Sequence, residues 1–142
     1  MKILLTLLAL CLYSNASNDV IFVHDKTTYR AVRARITYYH PFQDRWAWQN
    51  ACPNTRRSKE GITVAAHPDF KFGTKLIIPA LSESLKGNSR VMIVQDRGGD
   101  VTKKKASKGK TYVFDVFVES RAKYRKLRNT APEYVIVYIE NK

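Results

Sequence analysis

The chain has 142 residues, with 25 Lys and Arg against 12 Asp and Glu, for a formal net charge of +13. No stretch is rich enough in Pro, Gly or Ser to separate two cores, so two separately folded domains are excluded, and the length suffices for one core held by packing. So large an excess of cations points to an anionic partner.

At the N-terminus, Met1 and Lys2 supply a positive start, residues 3–12 are apolar apart from Thr6, and Tyr13, Ser14 and Asn15 turn polar. That is the order of a secretory signal, with Ser14 and Ala16 at the minus-three and minus-one places of a cut after Ala16. Residues 1–16 are thus expected to leave, and 126 residues with a net charge of +12 to remain, because the leader takes only Lys2 with it. The apolar run is too short to span a bilayer, so no transmembrane segment is expected after cleavage. Leu10 is too large to precede a lipid-bearing Cys11. Once Cys11 is gone Cys52 stands alone, which rules out an internal disulfide. Cys52 reads as a half-buried filler, since a nucleophilic thiol would need an activating partner from His24, His40 or His67.

Residues 17–32 read as an N-terminal extension and 33–142 as the domain. β-favouring segments recur over 31–39, 62–66, 74–78, 90–94, 112–118 and 133–139, between turn signals such as His67-Pro68-Asp69, Pro79 and Gly98-Gly99. Six short strands predict a mainly β fold, a small barrel or sandwich. One helix is predicted over 120–127, capped by Ser120, with Ala122, Tyr124 and Leu127 toward the core. The stretch 42–60, with Trp46 and Trp48, reads as a long surface loop.

Carboxylates are scarce in so basic a chain and therefore informative. Asp96 follows an apolar strand and precedes Arg97-Gly98-Gly99, placing it where a strand exits into a turn and the backbone can approach another group. Asp115 lies inside Tyr112-Val-Phe-Asp-Val-Phe-Val118, where alternation puts it on the face of Val113 and Phe117. A carboxyl on such a face is paired or partly desolvated, and desolvation favours the protonated form that a general acid needs. The competing reading is a brace that accepts hydrogen bonds from loop amides or pairs with an Arg.

Four motifs in order, Gly61-Ile-Thr-Val-Ala-Ala-His-Pro68, Phe72-Gly-Thr-Lys-Leu-Ile-Ile-Pro79, Val94-Gln-Asp-Arg-Gly-Gly-Asp-Val101 and Val113-Phe-Asp-Val-Phe-Val118, resemble the three-aspartate or "3D" domain. The resemblance covers residues 33–139. It implies a six-stranded double-psi β-barrel of the kind found as the catalytic barrel of the membrane-bound lytic transglycosylase A family. It also implies peptidoglycan cleavage by one carboxyl group, with Asp115 as the acid and Asp96 as the aspartate that tunes it or stabilises charge developing on the sugar. Arg97 and the amides of Gly98 and Gly99 would hold the site or bind substrate. At the first aspartate position this chain carries His67, with Asp69 two places on, and a basic insert over 102–111 separates the other two.

The competing function is a non-catalytic wall-binding module, since expansin-related double-psi barrels bind polysaccharide through exposed aromatics. Tyr38, Tyr39, Trp46 and Trp48 are the candidates for that platform, with core packing as their alternative fate. The expected partner is peptidoglycan or another anionic wall glycan. No nucleic acid is expected, because charge alone supports it and no binding motif accompanies the charge. No metal or other cofactor is expected, because the histidines lack ligand spacing and the carboxylates do not cluster in sequence.

Overall fold

The computed structural model describes residues 21–43, 45, 58–85 and 91–141. The expected leader, Trp46, Trp48 and Cys52 lie outside the described residues. Among the described residues seven strands form one sheet: β1 (Ile21–His24), β2 (Thr27–Tyr39), β3 (Thr63–Ala65), β4 (Lys75–Ile77), β5 (Met92–Asp96), β6 (Val113–Phe117) and β7 (Tyr134–Glu140). Their order is β1-β2-β6-β3-β5-β4-β7, and β7 pairs back onto β2, so six of them close into a barrel. Closure leaves those six without a free edge.

The long strand β2 makes the closure possible. Its residues Tyr29–Arg35 run antiparallel to β7, and Arg35–Tyr39 run parallel to β6. Alternation along β2 sends Ala34, Ile36 and Tyr38 into the barrel and Arg35, Thr37 and Tyr39 to its outside. The same rule places Val64, Val94, Phe114, Val116, Val137 and Ile139 in the barrel core. β2 begins at Thr27, upstream of both the strand start at residue 31 and the domain start at residue 33 that the sequence suggests. β1 joins it through Asp25 and Lys26, both in the left-handed region with φ of 47° and 63°. Two such residues make the tight turn that matches strand twist, although Asn-Gly is its usual sequence.

A second, smaller cluster covers the outer face of the barrel wall: Tyr39, Ala65, Val101, Val113 and Phe117. Val101 belongs to a one-turn helix, α1 (Gly99–Thr102), followed by a 3-10 turn at Lys105–Ser107. A longer helix, α2 (Arg121–Thr130), starts as the sequence predicts: Ser120 accepts from the Lys123 amide at 3.1 Å and Leu127 is buried. Tyr124 is half-buried, whereas Ala122 is exposed rather than turned to the core. Buried Glu60 ties α2 to the barrel, accepting from the Glu119 amide at 2.8 Å and pairing with the Lys123 ammonium. The helix ends at Thr130, two residues before Pro132, whose ring disfavours helical backbone in the residue before it. Among the described residues no helix is long and apolar enough to cross a membrane.

Candidate functional site

Strand register assembles the site. Thr37 on β2 pairs with Asp115 on β6, Asp115 pairs with Ala65 on β3, and Ala65 pairs with Asp96 on β5. These four residues form one row across four neighbouring strands. The two aspartate Cα atoms are therefore two strand spacings apart, about 9–10 Å. Ala65 between them adds only a methyl group.

A bulge is needed to complete the row. Val64 pairs with Val94 but Ala65 pairs with Asp96, so Gln95 is skipped. The extra residue turns Asp96 to the outer face that it would otherwise miss, which is how a bulge re-aims a side chain. Gln95 in turn accepts from the Thr63 hydroxyl at 2.7 Å.

Asp115 is half-buried between fully buried Val113 and Phe117, as alternation predicts, and its Oδ1 accepts from the Thr37 hydroxyl at 2.8 Å. It forms part of a cleft of about 590 Å³ whose walls come from β2, α1, the 3-10 turn, α2 and the segment 131–133. Two other carboxylates reach this cleft, each in an ion pair: Asp100 with Lys105 at 3.0 Å, and Glu133 with Arg35.

Asp96 does not line the cleft. Its Oδ2 accepts from the Tyr39 hydroxyl at 2.9 Å and its Oδ1 from the Arg97 amide at 2.7 Å. Burial first, then the charge and hydrogen bond of Asp96, push the Tyr39 phenol far above its ordinary value, and the charge of Asp115 adds to this. Tyr39 stays a neutral donor at any physiological pH and lies within electrostatic reach of both carboxylates.

Arg97 braces the backbone. Its guanidinium donates to the carbonyls of Ala66 at 3.1 Å, Asp96 at 3.3 Å and Phe70 at 2.6 Å, and stacks on the Phe72 ring at 4.1 Å. These contacts tie the end of β5 to the segment 66–72. Gly98 and Gly99 do not form a tight turn: Gly98 is the extended N-cap of α1, and neither has positive φ.

Tyr38 is 9% exposed and belongs to the barrel core, with its hydroxyl buried and without a partner. Burial raises its pKa to about 12. It touches the cleft but offers no open ring for a sugar to stack on. His67 is half-buried, edge-on to Tyr112 at 5.6 Å, and its Nδ1 accepts from the Asp69 amide at 3.2 Å. Tyr112 donates to Asp69 at 2.6 Å, which holds the Asp69 carboxyl below its ordinary value. Asp69 is therefore engaged in its own loop, outside the row of Asp96 and Asp115.

Sequence reasoning did not assign Thr37, Ala65, Arg35, Asp100, Arg128 or Glu133 to the site, whereas Lys105 belongs to the basic insert over 102–111. Thr37 and Tyr39 share the outer face of a predicted strand, so their common direction was readable, but not their partners. Among the described residues no group of three or more His, Cys, Asp or Glu is placed to hold a metal ion. No protein-family model matches the chain, and no curated protein and no solved structure is significantly similar to it.

Proposed function

We propose that this chain is an exported peptidoglycan-cleaving enzyme of the lytic transglycosylase type, with the Asp115 carboxyl as its single general acid and base. The observation that carries the reading is the position of Asp115, half-buried on the wall of an open cleft, on a central barrel strand, with Thr37 fixing its carboxyl plane. A protonated Asp115 would donate to the glycosidic oxygen as the bond from the muramic anomeric carbon to that oxygen breaks. The resulting carboxylate would take the proton of the same sugar's primary hydroxyl, whose oxygen closes onto the anomeric carbon. No water is consumed and no second carboxylate is obligatory, unlike the paired carboxyls of ordinary glycosidases. Asp96 would act from behind the row, through Tyr39 and the backbone, as a positioning residue.

A non-catalytic wall-binding module is the second reading. It is favoured by the commitment of Asp96 and Arg97 to neighbouring protein groups rather than to the cleft. The two are separated by incubating the full chain and its Asp115→Asn form with intact peptidoglycan and analysing the soluble products by mass spectrometry. Anhydro-muropeptides from the unaltered chain alone support the enzyme. Co-sedimentation of both forms without products at any pH tested supports the binder.

A further inference from the structure

The cleft around Asp115 has a charge pattern that neither reading requires. On one side stand α1 and the 3-10 turn, with Lys105 reaching the cleft and Lys103, Lys108 and Lys110 exposed beside it. On the other stands α2, with Arg128 reaching the cleft and Arg121, Arg125 and Lys126 exposed on the same ten-residue helix. The first turn of α2 contains no acidic residue and begins with Arg121. Arg121 there opposes the helix dipole, so it does not serve the helix itself, whereas Arg128 in the last turn suits it. Among the described residues no ion pair engages Arg121, Arg125, Lys126 or Arg128.

Between the two basic flanks lie three carboxyl groups: Asp115, and Asp100 and Glu133 in their ion pairs with Lys105 and Arg35. A polymer with a charge on every unit, such as a nucleic acid, would bring its phosphates against the Asp100 and Glu133 carboxylates as well as the Asp115 carboxyl, and lose there part of what it gains on the flanks. A strand of neutral rings with carboxylate-bearing branches meets no such conflict, because a ring can cover Asp115 while the branches reach outward. We infer that the cleft reads its ligand by flanking charge: a glycan strand lies over Asp115, with acidic peptide branches held by α2 on one side and by the lysine-rich turn on the other. This inference rests on the glycan reading above and adds the acidic branch as a required part of the ligand.

The test is sedimentation binding of the full chain to four probes: intact peptidoglycan, the same glycan stripped of its peptides by an amidase with the freed muramic carboxylates then blocked as amides, duplex DNA, and vesicles of anionic phospholipid. The double variants Arg125→Glu with Arg128→Glu, and Lys103→Glu with Lys108→Glu, are measured alongside, with neutral Gln versions as a second set whose folding is checked by circular dichroism. Intact peptidoglycan should bind about tenfold more tightly than stripped glycan, and each double variant should lower that affinity and flatten its salt dependence. Stripped glycan should bind weakly and be indifferent to the variants. Equal binding of intact and stripped glycan overturns the inference, as does tighter binding of DNA or of vesicles. Anhydro products combined with charge-blind binding would sink this inference and leave the enzyme standing. Charge-read binding without products would do the reverse.

Discussion

Asp115 and Asp96 occupy the same row on the same face of the barrel, separated by Ala65, yet their surroundings assign them different work. Asp115 keeps a cleft in front of it and a hydroxyl, Thr37, beside it. Asp96 is enclosed by the Tyr39 hydroxyl and the Arg97 amide. The lesson is that a shared strand face fixes direction, whereas the cover above the face decides what a carboxyl can reach. Above Asp115 the wall between α1 and α2 is open, and above Asp96 the side chain of Tyr39 arrives from β2.

The sharpest way to break this contrast is a pair of isosteric substitutions. Asp115→Asn should lower the rate of glycan cleavage by about 10²–10⁴ or more, with little change in thermal stability. Asp96→Asn should show the opposite weighting, a fall in stability of about 1–2 kcal/mol and a smaller loss of rate. Rates from product release and melting by differential scanning calorimetry would show whether the two effects cross over. If both substitutions acted equally on both readouts, the division of roles would be wrong.

Arg97→Ala comes next in size. It removes three donations to backbone carbonyls and should destabilise the fold by about 2–3 kcal/mol, read as a lowered denaturant midpoint. Arg97→Lys should not restore it, because an ammonium cannot span the Ala66 and Phe70 carbonyls as the planar fork does. Thr37→Val keeps shape and removes only the donor to Asp115. It should cost about tenfold in the rate and leave substrate affinity unchanged, since a mispositioned acid is felt in the bond-breaking step.

The tyrosines of β2 give the smallest effects. An unfolded chain ionises its tyrosines near 10, whereas folded Tyr39 holds its proton far above that. The stability that comes from keeping Tyr39 neutral is fully present below about pH 10 and is lost as the pH rises beyond it. Tyr39→Phe should reduce this alkaline loss in melting curves while costing about 1 kcal/mol at neutral pH through the missing bond to Asp96. Tyr38→Phe should act in the other direction, raising stability by up to about 1 kcal/mol, because the hydroxyl it removes is buried without a partner.

The barrel was largely legible in the sequence. All six of its strands lie at predicted segments, because alternation and β-branched residues mark each one. β1 escaped notice because Asp25 and Lys26 make its turn without the Gly or Asn that announces such turns. β5 lies two residues later than its sequence pattern suggests, since the bulge at Gln95 that carries the strand through Asp96 depends on pairing with β3 and has no local signal. Gly98-Gly99 reads as a turn, but it opens a one-turn helix. In the site, the direction of Asp115 followed from alternation within β6 alone. Its partner Thr37 is 78 residues away and is selected by a parallel pairing that no local pattern reveals. Tyr39 and Arg97 likewise have their roles set by strand order, so a sequence reading could name them without telling a ligand platform from a brace.

In the proposed reaction Asp115 cleaves the glycan without water. Digesting peptidoglycan with the full chain in water labelled with heavy oxygen, and weighing the products, tests this directly. The expected products are anhydro-muropeptides that carry no label and that vanish with Asp115→Asn. Labelled reducing-end sugars, or unlabelled products that persist in the Asn variant, would contradict it.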